Sequence, residues 1–212
     1  MVQDIKMWPS GDGGLIPRMR HVGSGASDPN VDLNILAGSQ LSWESDQGQL
    51  FSITNELQSG VIFSVNDISG LSHLSVNASG EVDVGEYSSK ITMHKAVYYP
   101  VVENTQSTAT LDLDLAAGNH FQVNLGANVT AINFANPVQG QRFIVRFTQD
   151  GTGSRTVVWT DVDAPDATNA HVIWPGGTAP TLTTTADKSD TLGFICTSGT
   201  TFFDGYIIGQ NL

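Results

Sequence analysis

Residues 60–85 read GVIFSVNDISGLSHLSVNASGEVDVG, and this stretch decides the fold class of the chain. Apolar side chains occupy nearly every second position within each short run, and Ser, Asn, Asp and Gly fill the intervals. Alternation with a period of two is typical of a β-strand that buries one face. The glycine-containing turns at short intervals predict several short strands joined tightly in sequence.

The pattern also extends upstream of this stretch. LFSITNELQSG (50–60) precedes VIFSVNDISG (61–70), so that two similar strand–turn units follow one another. One such unit cannot bury its apolar face alone and needs neighbouring units or a second copy of the chain. We therefore expect the apolar side chains of this segment to form a contact between copies. The expected interface residues are Val61, Phe63, Val65, Leu74 and Val76.

Alternation is strictest in the C-terminal half. TLDLDL (110–115), FQVNL (121–125) and RFIVRF (142–147) each place apolar and polar side chains on opposite faces. About nine short strands in this half are typical of a β-sandwich or jelly roll, and half-polar faces favour antiparallel sheets with one wet side. The sequence thus predicts an all-β protein. We divide it into an irregular N-terminal arm (1–49), a strand–turn shaft with its connector (50–104) and an antiparallel β-domain (105–212).

The first thirty residues differ from the rest in charge and in pattern. Residues 1–20 hold three basic and two acidic side chains, whereas residues 21–90 hold nine acids and one base. Breakers such as PSGDGG (9–14) indicate irregular backbone. We expect this arm to bind another protein through its apolar side chains, with Trp8 as the first anchor to test. These side chains are Ile5, Met7, Trp8, Leu15 and Ile16.

Composition argues against several classes of function. A net charge of −12 disfavours binding to a phosphate backbone. The opening residues show no basic segment followed by an apolar one, and no apolar run approaches the length of a membrane span, so we expect synthesis in a cytoplasm and no membrane insertion. The single cysteine, Cys196, lies on the apolar face of TLGFIC (191–196), where we expect it to be a core residue.

The sequence predicts no catalytic residue, no metal site and no cofactor, and we expect a protein that is not an enzyme. The histidines fall in separate segments without metal-ligand spacing. The acid-rich loop TDVDAPDATN (160–169) is a candidate for calcium, although it lacks the pattern of an EF-hand loop. Trp159, Trp174 and Tyr206 either stack on a sugar ring or fill the core, and the alternation of Trp159 with Val157 favours the core.

Several longer stretches resemble structural proteins of tailed bacteriophages, including those of marine and cyanobacterial hosts. In the C-terminal half these are GNHFQVNLGANVTAINFANP (118–137), FTQDGTGSRTVVW (147–159), WPGGTAPTLTT (174–184) and the terminal GYIIGQNL (205–212), which resemble a C-terminal β-domain of that class. Residues 50–87 resemble a segment of the shafts of the same proteins. Residues 1–30 lie outside the resemblance.

This resemblance implies a virion fibre, on the tail or the head, that is usually a homotrimer and lies on the particle exterior. The arm would then dock the shaft onto another virion structural protein. Two alternatives stay open at this point. The C-terminal domain could bind a host surface glycan, or the whole chain could be a capsid decoration (cement) protein.

Overall fold

The computed structural model shows an all-β chain with two compact units, Met1–Lys95 and Ala96–Leu212. The structure describes residues 5–8, 18–22, 24–25, 27–36, 40–55, 58–88, 90–159, 171–198 and 202–212.

The first unit contains one eight-stranded sheet in which each strand pairs with the next along the chain, all antiparallel. Such a meander needs only short turns between strands. Its strands are β1 (Ile5–Trp8), β2 (Arg18–His21), β3 (Val31–Leu36), β4 (Gln40–Ser45), β5 (Gly48–Ile53), β6 (Val61–Asn66), β7 (Ser72–Asn77) and β8 (Val82–Val84).

Two similar glycine turns join the last three strands. Gly70 and Gly80 adopt positive φ values of 81° and 88°, a region open to glycine at little steric cost. In the β6–β7 turn, the Asp67 carboxylate accepts hydrogen bonds from the backbone N–H groups of Ser69 and Leu71, at 2.8 and 3.0 Å. The SG dipeptides therefore do fix the hairpins that the sequence predicted.

The irregular backbone predicted for the first thirty residues is wrong where the structure describes them, because residues 5–8 and 18–21 form β1 and β2. These strands, with β3 and β4, belong to the same sheet as the predicted shaft. The runs of β1 and β2 are too short to show a period, but pairing with neighbouring strands satisfies their backbone groups. Of the expected anchor residues, Ile5, Met7 and Trp8 lie in β1, and Leu15 and Ile16 lie outside the described residues.

The second unit contains a six-stranded and a two-stranded sheet. The six-stranded sheet has the order β14–β16–β15–β13–β11–β9, and the two-stranded sheet joins β10 to β12. The strands are β9 (Val101–Gln106), β10 (Thr110–Asp114), β11 (His120–Leu125), β12 (Ala131–Ala135), β13 (Arg142–Gln149), β14 (His171–Ile173), β15 (Ser189–Ser198) and β16 (Phe202–Gly209), with a 3₁₀ turn at Pro175–Gly177.

From β9 to β13 the chain winds alternately between the two sheets. Strands β9, β11 and β13 pair in parallel in one sheet, and β10 pairs in parallel with β12 in the other. A chain that leaves a sheet, forms a strand in another layer and returns must run in the same direction again, which produces parallel neighbours. β9 begins this winding, so the predicted boundary at residue 104 falls inside a strand, and the sheet of the second unit starts at Val101.

The prediction of antiparallel sheets is confirmed for the meander and for β13, β15 and β16. The second unit also contains four parallel strand pairings, which the sequence analysis did not expect. Alternation reports only that one face of a strand is wet. It does not report the direction of the neighbouring strand.

The core of the second unit is one cluster contributed by both of its sheets. Leu111 and Leu113 of β10 and Phe134 of β12 supply one side, while Phe143 and Phe194 belong to the six-stranded sheet. The Phe143 and Phe194 rings stack with centroids 5.1 Å apart, and Phe134 meets Phe143 edge-on at 5.0 Å. Edge-to-face and stacked pairs of this kind stabilise a core beyond the area they bury.

A buried carboxylate fixes the C-terminal residues to the six-stranded sheet. Asp190 is 2% exposed and accepts hydrogen bonds from the Thr183 hydroxyl at 2.8 Å and the Asn211 backbone N–H at 2.9 Å. The Thr183 backbone N–H also donates to it. Ser189 and Leu212 exchange two backbone hydrogen bonds beside it. A buried carboxylate without hydrogen-bond partners would be costly, so Asp190 stabilises the fold only while these partners stay in place. The residues after β16 are therefore fixed against the sheet.

Cys196 is 1% exposed and belongs to the core cluster, which confirms its predicted structural position. We predict that Cys196→Ala lowers the free energy of unfolding by about 1 kcal/mol or slightly more and leaves the oligomeric state unchanged. Urea denaturation and light scattering measure the two quantities. Rapid modification of the native thiol by a thiol reagent would contradict the buried position.

In the first unit, Arg20 binds Asp32 across β2 and β3 through two hydrogen bonds of 2.7 and 2.6 Å. These bonds lower the pKa of the Asp32 carboxyl and raise the pKa of Arg20. A carboxyl with a lowered folded-state pKa stabilises the fold above its unfolded-state pKa of about 3.9, and this contribution disappears as pH falls through the folded-state value.

We therefore predict that Asp32→Asn destabilises the first unit at pH 7, and that the difference from wild type shrinks between about pH 5 and pH 2. Urea midpoints measured across this range test it. Asp46→Asn, in the exposed β4–β5 turn, is the matched control. A deficit for Asp32→Asn that stays constant down to pH 2 would show that the ion pair is not its cause.

Candidate functional site

The meander exposes an apolar face, which we define as Leu33, Ile35, Leu41, Trp43, Phe51, Ile53, Phe63, Val65, Leu74, Val76, Val82 and Val84. Strand pairing places these side chains in neighbouring rows, for example Trp43 opposite Phe51 and Phe51 opposite Val65. Ile53 is 47% exposed and Val82 is 56% exposed. Side chains of this size lose favourable free energy when they stay in water.

An aromatic row crosses the apolar face. The His21 and Trp43 rings stack with centroids 5.7 Å apart, and Trp43 stacks on Phe51 at 5.6 Å. Phe63 continues the row at 6.4 Å from Phe51. The row joins β2, β4, β5 and β6, so part of the predicted arm contributes to the same face as the predicted shaft.

The opposite face is built from serine. Ser42, Ser52, Ser64 and Ser75 stand in register on β4 to β7 and are between 0% and 7% exposed. The Ser52 and Ser64 hydroxyls lie 3.0 Å apart and share a hydrogen bond. These small hydroxyls are buried among longer polar neighbours and satisfy one another.

Longer polar side chains extend this serine row into a hydrogen-bonded network. Glu44 accepts from the Ser42 hydroxyl and from the Asn34 amide, both at 2.8 Å. Gln49 donates to the Ser42 hydroxyl and accepts from Asn66, again at 2.8 Å. The polar groups of this face are thus satisfied within the chain.

Burial in the first unit is therefore the reverse of that in an ordinary domain: its small polar side chains are covered and its large apolar ones reach the solvent. Of the five expected interface residues, Val61 and Val65 are exposed, and Phe63, Leu74 and Val76 are partly buried. Phe63, Val65, Leu74 and Val76 lie on the same face, whereas a register shift after Val61 pairs it with Asn77 on the serine side. Their role in assembly stays a prediction.

Trp43 and Phe51 were not among the expected interface residues, and burial of the serine row was not predicted. A signal was present in four tripeptides that place serine between two apolar residues: LSW (41–43), FSI (51–53), FSV (63–65) and LSV (74–76). The four serines of these tripeptides pair in register on β4, β5, β6 and β7. Their unequal spacing, which follows from turns of different length, hid the repeat.

In sequence between β8 and β10, several large apolar side chains are exposed. Met93 is 67% exposed and Tyr98 is 86% exposed. Tyr87, Ile91, Val97, Tyr99 and Val101 are also exposed.

Of the three aromatic side chains considered for sugar binding, two lie in the core and one lies on the surface. Trp174 is 6% exposed and Trp159 packs against the core, with ring centroids 4.9 Å apart, so both are core residues as the alternation favoured for Trp159. Tyr206 instead lies on the outer face of the six-stranded sheet and is 38% exposed. The calcium candidate at residues 160–169 lies outside the described residues.

Within the described ranges, no three His, Cys, Asp or Glu side chains group as metal ligands. The same part of the chain holds no helix long and apolar enough to cross a membrane. A cleft of about 320 Å³ is lined by Arg155, Trp159, Pro180 and Thr184 among others. Arg155 is occupied by Asp150, which it binds through hydrogen bonds of 2.7 and 3.0 Å, so the cleft presents no uncompensated charge from that side chain.

No protein-family model matches this chain, and neither a curated protein nor a solved structure shows significant similarity to it. The resemblance to phage structural proteins therefore stays an expectation from the sequence.

Proposed function

We propose that this chain is a non-enzymatic structural protein that assembles as a homotrimer through the apolar face of the meander. The observation that carries the proposal is the exposure of that face in a single copy. A sheet with one apolar side needs a second layer against that side. Neighbouring copies of the same face supply such a layer.

The composition of the face supports a contact with itself. Its members are aliphatic or aromatic and none is charged, whereas the acids of β3, β4 and β8 lie on the serine side, as the bonds to Asp32, Glu44 and Asp83 show. Apolar faces free of charge are typical of permanent interfaces between identical subunits. A symmetric assembly brings identical faces together around one axis. The number three comes from the resemblance to phage fibres.

Within this proposal the protein is part of a virion, as a tail or head fibre on the particle exterior. The meander forms the shaft, and the second unit forms a sandwich-like cap. The N-terminal residues bind another virion protein. A capsid decoration protein is an alternative use of the same trimer, and recognition of a host glycan by the second unit is compatible with either.

The trimer is tested by a charge on the apolar face. We predict that the wild-type chain of 22.6 kDa scatters light as a species of about 68 kDa at micromolar concentration. Val65→Asp should shift the mass toward 22.6 kDa, because a carboxylate in an apolar contact loses its hydration.

Ile68→Asp is the matched control for this substitution. It makes the same kind of change at a side chain that is 69% exposed in the β6–β7 turn, away from the face. The control should keep the wild-type mass. A wild-type chain that is monomeric at these concentrations would contradict the proposal.

Anchoring is tested by Trp8→Ala. Deletion of residues 1–30 would remove β1 and β2 from the sheet, so a loss of binding would not separate anchoring from folding. We predict that Trp8→Ala keeps the trimer mass but is incorporated at least about tenfold less into virions lacking the native copy, as expected for an aromatic anchor. Incorporation equal to wild type would move the anchor elsewhere in the chain.

A further inference from the structure

The outer face of the six-stranded sheet carries an aromatic ring set among polar side chains. In register across the sheet stand Tyr206 of β16, Gly193 of β15, Ile144 of β13 and His120 of β11. The neighbouring row places Arg146 beside Gln122. These residues face away from the core cluster, since the alternate positions on the same strands are buried.

The Tyr206 ring lies over Gly193. A Cβ atom at position 193 would lie only 2.3 Å from Cζ of Tyr206, with Cε2 at 2.4 Å and the hydroxyl oxygen at 2.6 Å. Cζ is the nearest of the three and its bonded neighbours are slightly farther, so the face of the ring, not its edge, covers the glycine. The opposite ring face is turned outward, consistent with the 38% exposure of Tyr206.

The strand that carries Tyr206 also packs against the core on its inner face. Gly205, the residue before Tyr206, leaves room on the inner face for Trp174, whose ring atoms would lie 2.6 and 2.8 Å from a Cβ there. The contacts of Asp190 fix the chain that follows β16. An aromatic platform on a pinned strand loses little freedom when it binds a ligand.

Two arginines flank the platform. Arg142 and Arg146 lie on the outer face of β13, on either side of Ile144 and about 7 Å from it along the strand. Neither forms an ion pair or a side-chain hydrogen bond with another described residue, whereas Arg155 binds Asp150. The acids of this face, Asp204 and Glu103, stand two strands from the arginines in register.

In a chain of net charge −12, two uncompensated guanidinium groups on one rigid face are available for an external anion. A guanidinium binds a carboxylate or sulfate through two parallel hydrogen bonds. A flat aromatic face binds the apolar C–H face of a sugar ring. The Gln122 amide and the His120 ring offer donors and acceptors for hydroxyl groups.

We propose that this outer face binds an anionic oligosaccharide, with one sugar ring stacked on Tyr206 and its carboxylate or sulfate groups bound by Arg142 and Arg146. The inference rests on the glycan-recognition role named above and is independent of trimer assembly. It defines the class of glycan as negatively charged. The overall negative charge of the chain makes binding through general electrostatic attraction unfavourable, so the local arginines must supply the contact.

Isothermal titration calorimetry on the purified full-length chain tests the site with three probes. These are a carboxylated mannuronate tetrasaccharide, a sulfated galactan tetrasaccharide and neutral cellotetraose. We expect binding of at least one anionic probe that weakens as salt is added, because surface ion pairs are screened. Cellotetraose should bind at least tenfold more weakly. The two anionic arms show which anion the arginines prefer.

Three variants locate the site. Arg146→Gln should weaken the anionic probe about tenfold, the loss of one charge-assisted contact. Gly193→Ala keeps every charge and every aromatic ring but displaces Tyr206, and it should weaken binding to a similar degree. Lys90→Gln, which removes one charge from an exposed position in the first unit, should leave binding unchanged.

Light scattering on the same variants separates this inference from the proposed trimer. Wild-type mass for all of them, with binding lost only in Arg146→Gln and Gly193→Ala, supports the saccharide site. No binding of any anionic probe up to about 10 mM, or equal loss in Lys90→Gln, would overturn it. Dissociation of the oligomer by Arg146→Gln would instead identify the face as a subunit interface and also overturn it.

Discussion

Everything in the first unit depends on a single uncovered apolar face. A meander needs only local turns to form, so its strands pair without help from distant residues. Pairing satisfies the backbone but leaves one side of the sheet with large apolar groups in water. Hydrophobic burial is the dominant stabilising term in folding, and a sheet that cannot complete it within one chain is stabilised by association.

The serine face of the same sheet is suited to water rather than to a buried layer. The Ser52 and Ser64 hydroxyls satisfy each other, and Glu44 and Gln49 complete the network beside them. Covering that side would remove hydration from carboxylates and amides that reach water at its margins. The sheet therefore has one side suited to solvent and one suited to another apolar surface.

Much of this could be predicted from local pattern, and the rest depends on contacts that local pattern does not encode. Alternation and glycine turns predicted the strands around Phe63 and Leu74, because side-chain period and turn chemistry are local properties. β1 and β2 were missed because four-residue strands are too short to show a period. The parallel winding from β9 to β13 was missed because a strand such as β11 has the same alternation whether its neighbours run parallel or antiparallel.

Tyr206 shows the same limit at the level of a single side chain. The sequence shows an aromatic residue near the end of the chain, but the exposure of the Tyr206 ring face depends on Gly193, its register partner on the adjacent strand β15. Alternation within one strand does not reveal that pairing. Trp159 and Trp174 carry the same sugar-stacking chemistry and lie inward. The difference is geometric. Gly193 leaves space for the Tyr206 ring to lie against the outer face of the sheet, whereas Gly205 leaves space for Trp174 in the core.

The two units thus solve the same physical problem in different ways. The second unit winds between two sheets, so that Leu113 of one sheet and Phe143 of the other close a core within one chain. The outer face of the six-stranded sheet is not needed to form this core. It carries Arg142 and Arg146 beside the Tyr206 ring. The described residues of the first unit form a single sheet, and the proposed trimer would supply the layer that covers its apolar face. If both proposals hold, the surface that joins copies of the chain is separate from the surface that binds a saccharide, so that a substitution on one need not affect the other.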